Sequence, residues 1–291
     1  MQAFSKIGVT VKPINEELTR SLTGNLLAYL DERGIHYQLD ETLKTIGYSA
    51  EKTINRETLV KASDLIIVIG GDGTLLDAAR SIAGTNIALI GVNIGRLGFL
   101  VDVSPAEFAD QLDEIFAGNY HEEKRAMLHA EVLRDGDIIA AGNAFNDIAL
   151  HNRARIRMIE FETHIDDQRV NTHRADGIVV CTPTGSTAYA LSGGGPILHP
   201  ELDALALVPI CPHTLSNRPI VVTGNSKITL RLRQNSHTNA MVAFDAQNTV
   251  DIEADDEIKI CRHEKPLRLL HPPGYDYYSI LRKKLRWSEQ P

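Results

Sequence analysis

The chain has 291 residues, of which 43% are hydrophobic and 23% charged, and it carries a formal charge of −8. Its length exceeds what one hydrophobic core usually serves, so two domains are predicted. The acidic balance disfavours broad contact with nucleic acid or anionic membrane, and an anionic ligand then needs local cations or a bridging metal.

Cys181, Cys211 and Cys261 are odd in number and far apart, which argues against a disulfide framework and against a Cys-based zinc site. The eleven histidines lack a metal-ligand spacing such as His-Glu-x-x-His. No run approaches the roughly 18 apolar residues of a membrane helix, and the N-terminus has no signal-peptide layout. A cytoplasmic protein with no membrane and no nucleic-acid partner is the expectation.

Residues 6–11 alternate into a first strand. Residues 16–33 carry Leu18, Leu22, Leu26, Leu27 and Leu30 at helical spacing, and Gly34 closes that helix. Residues 35–39 read as a second strand, whereas residues 41–63 are polar and give no clear assignment. Residues 65–69, five apolar and largely β-branched, form a strand buried on both faces, which implies a parallel sheet.

Gly70-Gly71-Asp72-Gly73-Thr74 follows, and an apolar helical period begins at Thr74, the expected helix cap. The result is a strand, a turn and a helix with a carboxylate at the tip, where glycines admit a ligand to the backbone and the helix dipole favours phosphate. A P-loop is excluded because no Gly-Lys-Ser/Thr follows, and the dinucleotide fingerprint fails at Leu76. A carboxylate repels diphosphate but attracts a metal ion or a hydroxyl proton, so the loop places a base beside phosphate. Taken alone, a Gly-Asp-Gly more often only tightens a turn.

Residues 87–92 are a further apolar strand, and the loop 93–99 after it is predicted to face the same crevice as residues 70–73. Phe99 has the shape to stack on a base, although a phenylalanine beside leucines is more often core. Residues 105–116 read as an amphipathic helix capped by Ser104.

From residue 124 the texture changes to short alternating runs, at 128–133 and 138–141 around Asp135-Gly136-Asp137, then at 158–165, 228–232, 240–244 and 258–261. The fold class expected is therefore α/β plus all-β. An N-terminal Rossmann-like doubly wound domain, residues 1–123, is completed by the tail 271–291, and an antiparallel β-sandwich-like domain spans 124–270.

Asn146 and Asp147, polar between Phe145 and Ile148, either orient ligand hydroxyls or turn the chain, and local chemistry favours the turn. After a strand ending at Thr182, the sequence Pro183-Thr184-Gly185-Ser186-Thr187 offers hydroxyls and amides at an expected helix start. Gly193, Gly194 and Gly195 downstream suggest close backbone packing or ligand approach, which favours a second polar cradle. The tail helix, around 277–287, is expected to dock Ile280, Leu281, Leu285 and Trp287 with its basic charges solvated.

Gly70-Gly-Asp-Gly-Thr74, Asn146-Asp147 and residues 176–189 together resemble bacterial NAD kinases over nearly the whole chain. The first motif also occurs in phosphofructokinases and in sphingosine and diacylglycerol kinases, so alone it supports phosphoryl transfer to a hydroxyl without naming the acceptor. Thr182-Pro-Thr-Gly-Ser-Thr-Ala-Tyr189, Gly193-Gly-Gly-Pro196 and Pro212-His-Thr-Leu-Ser-Asn-Arg-Pro219 narrow the resemblance.

The resemblance implies transfer of the γ-phosphoryl group of ATP to the 2′-hydroxyl of NAD's adenosine ribose, with a divalent cation, Mg2+ first, whose ligands it does not name. Asp72 matches the catalytic aspartate. Asp72, Gly73, Phe99, Asn146, Asp147, Asp176, Thr187, Ala188 and Tyr189 match NAD-binding positions, and Asp245 and Gln247 match a late Asp-x-Gln element. Gly70, Gly71, Gly73 and Thr74 correspond to the phosphate loop, and Arg174 to a position bearing on ATP or polyphosphate as donor. A homodimer or homotetramer is implied. The rival readings are a lipid or sugar kinase with the same loop, and a nucleotide sensor without turnover. A dehydrogenase is disfavoured by the broken dinucleotide fingerprint.

Overall fold

The computed structural model describes residues 3–12, 15–95, 98–153, 158–233 and 240–287. Arg96 and Leu97 of the second loop and the last four residues of the tail lie outside the described residues. The chain divides into two compact units, Met1–Lys124 with Leu267–Pro291, and Arg125–Pro266.

In the first unit, β1 (Ile7–Val11), α1 (Glu16–Glu32), β2 (Tyr37–Asp40), β3 (Thr53–Ile54), α2 (Arg56–Ala62), β4 (Leu65–Gly70), α3 (Asp72–Ser81), β5 (Ala88–Asn93), α4 (Phe108–Ala117) and β6 (His121–Arg125) follow in order. The first five strands pair in the order β3-β2-β1-β4-β5, all parallel. Strand order reverses between β1 and β4, so the carboxyl end of β4 lies where such sheets take ligands. Every residue of β4 is buried because both faces are covered, with Leu65, Ile67 and Ile69 sharing the core that Leu22, Leu26 and Leu30 of α1 enter. Asn15 caps α1 through Leu18 N–H at 3.1 Å, and Gly34 turns the chain at φ +63.

The polar stretch 41–63 becomes two 3-10 turns, a two-residue strand and a short helix. Two of these short elements are capped by polar side chains: Asp40 accepts from Thr42 N–H and Asn55 from Thr58 N–H. α4 starts at Phe108, later than expected, because Ser104 Oγ accepts from Ala106 N–H at 3.3 Å and holds a turn instead of capping the helix.

The second unit is antiparallel throughout. It contains β7 (Leu128–Arg134), β8 (Asp137–Ala144), β9 (Asp147–Asn152), β10 (Ile159–Ile165), β11 (Gln168–Ala175), β12 (Gly177–Cys181), the one-turn α5 (Tyr189–Ser192), β13 (Ala204–Ile210), β14 (Ile220–Thr223), β15 (Ile228–Leu232), β16 (Ala240–Phe244), β17 (Asn248–Ile252) and β18 (Glu257–Arg262). One sheet runs β11-β10-β15-β18-β7-β8 and the other β14-β13-β12-β9-β16-β17. Their inner faces share one core, with Ala130, Val132, Phe161 and Leu230 from one sheet meeting Leu150, Ile178 and Val242 from the other. Strand β12 is buried on both sides, because Val179 and Cys181 face outward into a second cluster closed by Ala190 and Leu198. The segment 184–198 therefore lies on the outer face of this sheet.

The chain then returns to the first unit, where β19 (Leu267–His271) pairs parallel with β5 and lies between β5 and β6. α6 (Tyr277–Leu285) follows, capped by Asp276. It buries Tyr277, Ile280 and Leu281, but Trp287, expected to dock, is 60% exposed because Arg286 enters the left-handed region at φ +55 and ends the helix before it. Among the described residues no helix is long and apolar enough to cross a membrane.

Ile67, fully buried at the centre of the parallel sheet, should lose about 2–5 kcal/mol on truncation to Ala. Ile139→Ala, on the exposed side of β8, should stay within about 0.5 kcal/mol of wild type. Denaturant unfolding of both variants checks the assignment.

Candidate active site

Asp72 is the first residue of α3, with Gly71 as an extended N-cap at φ −116 and ψ −173. Thr74, expected as the cap, instead sits in the first turn, 6% exposed, with its side chain packed back against the end of β4. A Cβ on Gly70 would collide with the Thr74 hydroxyl, so the turn after the strand needs glycine there. Gly73 is exposed at the helix start, where the dipole is positive.

The Asp72 carboxylate is held from across the crevice. Its Oδ2 accepts the Phe99 N–H at 2.9 Å and its Oδ1 the Leu100 N–H at 3.0 Å. Gly98 makes that approach possible, because a Cβ there would overlap Asp72 Oδ1. The segment is itself anchored: Gly98 N–H bonds Val101 O at 3.2 Å, Val101 is fully buried against Gly91, and Val103 pairs beside Val92. Each carboxylate oxygen has two lone-pair directions and uses one on an amide, which leaves the other able to take a proton. The loops after β4 and β5 thus meet at Asp72, as the strand order requires. Phe99 is partly buried, with Lys284 Nζ of α6 standing 5.6 Å from its ring centroid.

In the second unit, Phe145 and Asn146 form the corner by which the chain passes from β8 in one sheet to β9 in the other. This corner is built by Asp245, 4% exposed, whose carboxylate accepts from the amides of Phe145 at 3.0 Å, Asn146 at 2.7 Å and Asp147 at 3.2 Å. Asp245 and Ala246 both have positive φ, +49 and +54, and close the β16–β17 hairpin with Gln247 N–H on Phe244 O at 3.0 Å. The 182–187 segment is joined to the same corner. Thr182 N–H bonds Asn146 O at 2.9 Å, Thr182 Oγ1 donates to Phe145 O at 2.7 Å, and a Cβ on Gly185 would strike the Asn146 carbonyl.

Asn146, Asp147, Asp245 and the Thr184–Thr187 turn are therefore one construction, and Asp147 begins a strand where local chemistry favoured a turn. Thr184–Thr187 is a single 3-10 turn, not the expected helix start, and Thr187 Oγ1 donates to Thr184 O at 3.2 Å. Ala188 and the exposed Tyr189 follow, and the charges of Asp176 and Asp147 act on the Tyr189 hydroxyl. Gly193 and Gly195 serve close packing, since a Cβ on either would press on Val208. Arg174 is exposed on β11, and its carbonyl accepts from His213 N–H at 2.9 Å. Gly98, Leu100, Thr182 and Gly185 act as structural holders, a part that sequence reasoning did not give them. Arg125, 2% exposed, donates to Thr184 Oγ1 at 3.1 Å and also went unnoticed.

Burial first, and then the charge of Asp245, push the Asp147 carboxyl up to about 7. Burial and the nearby Asp147 push the Cys181 thiol up to about 12, so it is an unreactive neighbour. Among the described residues no group of three or more His, Cys, Asp or Glu side chains is placed to hold a metal ion.

The first unit thus presents a carboxylate at a glycine-flanked helix start, and the second unit, by itself, a hydroxyl-rich turn. Residues 7–120 match the model of the ATP-NAD kinase N-terminal domain, and residues 145–271 that of the ATP-NAD kinase C-terminal domain. The NAD kinase of Teredinibacter turnerae is 45% identical over 99% of this chain and 98% of its own, and that of Cellvibrio japonicus 44% identical over the same shares. Among solved structures, the Archaeoglobus fulgidus NAD kinase in complex with ATP is 26% identical with a TM-score of 0.76, covering 97% of this chain and 98% of that one. Yeast NADH kinase complexed with NADH shares the fold, with a TM-score of 0.89 at 23% identity over 99% of this chain and 89% of that one. The chain belongs to the ATP-NAD kinase family.

The raised Asp147 pKa carries a sign. Below the unfolded carboxyl value of 3.8 both states are protonated and this carboxyl takes nothing from stability; as pH rises toward about 7 the unfolded chain ionises first, and stability is lost at this group. Between pH 4 and pH 8 the wild type should lose stability relative to Asp147→Asn, by at most roughly 4 kcal/mol. Unfolding curves of the two proteins across that range measure it.

Proposed function

We propose that this protein is an NAD kinase, transferring the γ-phosphoryl group of ATP to the 2′-hydroxyl of the adenosine ribose of NAD, with NADP and ADP as products. The observation that carries the reading is the Asp72 carboxylate, fixed through both oxygens by the Phe99 and Leu100 amides at the end of β4. In the reaction the ribose 2′-oxygen bonds to the γ-phosphorus, the bond from that phosphorus to the β–γ bridging oxygen breaks toward ADP, and the hydroxyl proton passes to Asp72. A ribose hydroxyl is a weak acid, so a positioned base is worth roughly 10²–10⁴-fold, with alignment supplying much of the rest.

Gly70, Gly71, Gly73 and Thr74 are assigned to the triphosphate, where the α3 dipole favours negative charge. Phe99 is assigned to the adenine. Asn146, Asp147, Asp176, Thr187, Ala188 and Tyr189 are assigned to the dinucleotide, with Asp245 and Gln247 shaping that surface. Asp147, titrating near neutrality, is able to donate as well as accept a hydrogen bond there. A divalent cation, Mg2+ first, would supply charge neutralisation to the triphosphate that Gly70, Gly71, Gly73 and Thr74 are assigned to hold. Arg174 is assigned to the phosphoryl donor.

The three cysteines are free thiols, which suits the reducing cytoplasm proposed as its compartment. A homodimer or homotetramer is proposed as the working form, and exposed Leu215, Ile220 and Val221 around the outer strand β14 supply an apolar surface for it.

Incubation of the protein with ATP, Mg2+ and NAD should yield NADP. Asp72→Asn should lower turnover by roughly 10²–10⁴-fold while NAD affinity, measured by calorimetry, is retained. NAD binding without NADP formation by the wild type would mark a sensor and end the kinase reading.

A further inference from the structure

His271 ends β19 inside the first unit, its side chain fully buried. Its Nδ1 lies 2.8 Å from Asp102 Oδ2 and its Nε2 2.9 Å from Glu123 Oε2. A neutral imidazole has one N–H and would turn a lone pair toward one of these carboxylates, whereas an imidazolium donates to both. The ring is also stacked on Tyr275, centroids 3.8 Å apart, with the His121 ring at 6.2 Å. Asp102, Glu123, His121 and Tyr275 are the titratable groups around it. Burial works against the charge, but the hydrogen bonds to Asp102 and Glu123 hold the His271 pKa above the ordinary histidine value.

The place of Asp102 gives this cluster its meaning. Asp102 stands between Val101, whose carbonyl closes the turn that begins at Gly98, and Val103, which is bonded alongside β5. That same turn carries the Phe99 and Leu100 amides that grip Asp72. We propose that His271 is a positioning residue for the phosphoryl transfer, bridging Asp102 and Glu123 as a cation and thereby fixing the 98–103 segment that aims Asp72. The inference rests on the reading of Asp72 as the base. It gives the far edge of the sheet, β19 and β6, a part in the reaction without contact with either substrate. Displacement of a reacting group by about 1 Å costs on the order of 10²-fold in rate, so a loosened turn acts on kcat.

Asp102→Ala removes the loop's anchor and keeps the His271–Glu123 pair. Expected is a fall in kcat on the order of tenfold, with a native circular dichroism spectrum at the assay temperature. Asp102→Asn, which keeps an oxygen to accept the Nδ1–H, should recover at least half of the lost rate. His271→Gln should match Asp102→Ala if it folds. In the wild type, the 15N signals of the His271 ring should report both nitrogens protonated at neutral pH.

A folded Asp102→Ala enzyme with kcat within about twofold of wild type overturns the inference, and so does a His271 ring carrying a single proton. This second measurement decides the matter if the variants do not fold. Full turnover by Asp72→Asn would instead defeat the reading of Asp72, whatever Asp102 does.

Discussion

The structure of the first unit turns on one carboxylate accepting hydrogen bonds from two backbone amides of a neighbouring loop. Asp72 stands at the end of a strand buried on both faces, so its backbone cannot drift. Its side chain is then fixed from the opposite direction by Phe99 and Leu100, at 2.9 and 3.0 Å. Both constraints come from residues that lack bulk where bulk would interfere. Gly70 lets the helix start close to the strand, and Gly98 lets the second loop come up to the carboxylate. A carboxylate held this way loses little orientational entropy when a hydrogen-bond donor arrives.

The second unit uses a carboxylate for a different purpose. Asp245 is buried and bonded to three successive amides, and so holds the corner where the chain crosses between the sheets of the sandwich. Its charge, added to burial, raises the pKa of Asp147 beside it to about 7. The two acidic residues are neighbours with separate work: one shapes backbone, and the other presents a carboxyl that titrates in the physiological range. The Thr184–Thr187 turn is joined to the same corner through Thr182 and Gly185, which gives this group of residues a common frame.

Much of this was legible in the sequence, because the signals were local. The five apolar residues 65–69 announced a strand covered on both sides, and the Leu22-to-Leu30 spacing announced α1. The loop residues 70–74 and the set 146–147 and 176–189 stood out through the family resemblance, since residue type alone favoured a turn at Asp72 and at Asn146-Asp147. What escaped depends on contacts distant in sequence. Asp245 lies about a hundred residues from the amides it holds, and nothing near Phe244 tells that its carboxylate points inward. Strand β19 has only five residues and is recognisable only by its parallel partner β5. Ser104 and Thr74 looked like helix caps and are not, since one holds a turn and the other packs back on its strand. In both cases a short polar side chain found a nearer partner than the helix end.

The central claim is that the 98–100 turn, and not the helix alone, aims the base. Gly98→Ala tests it most directly, because the added methyl group would meet Asp72 Oδ1 and push the carboxylate off its two amides. Steady-state kinetics of this variant should give a kcat lower on the order of 10²-fold. A Gly98→Ala enzyme that is folded and turns over at the wild-type rate would contradict the account.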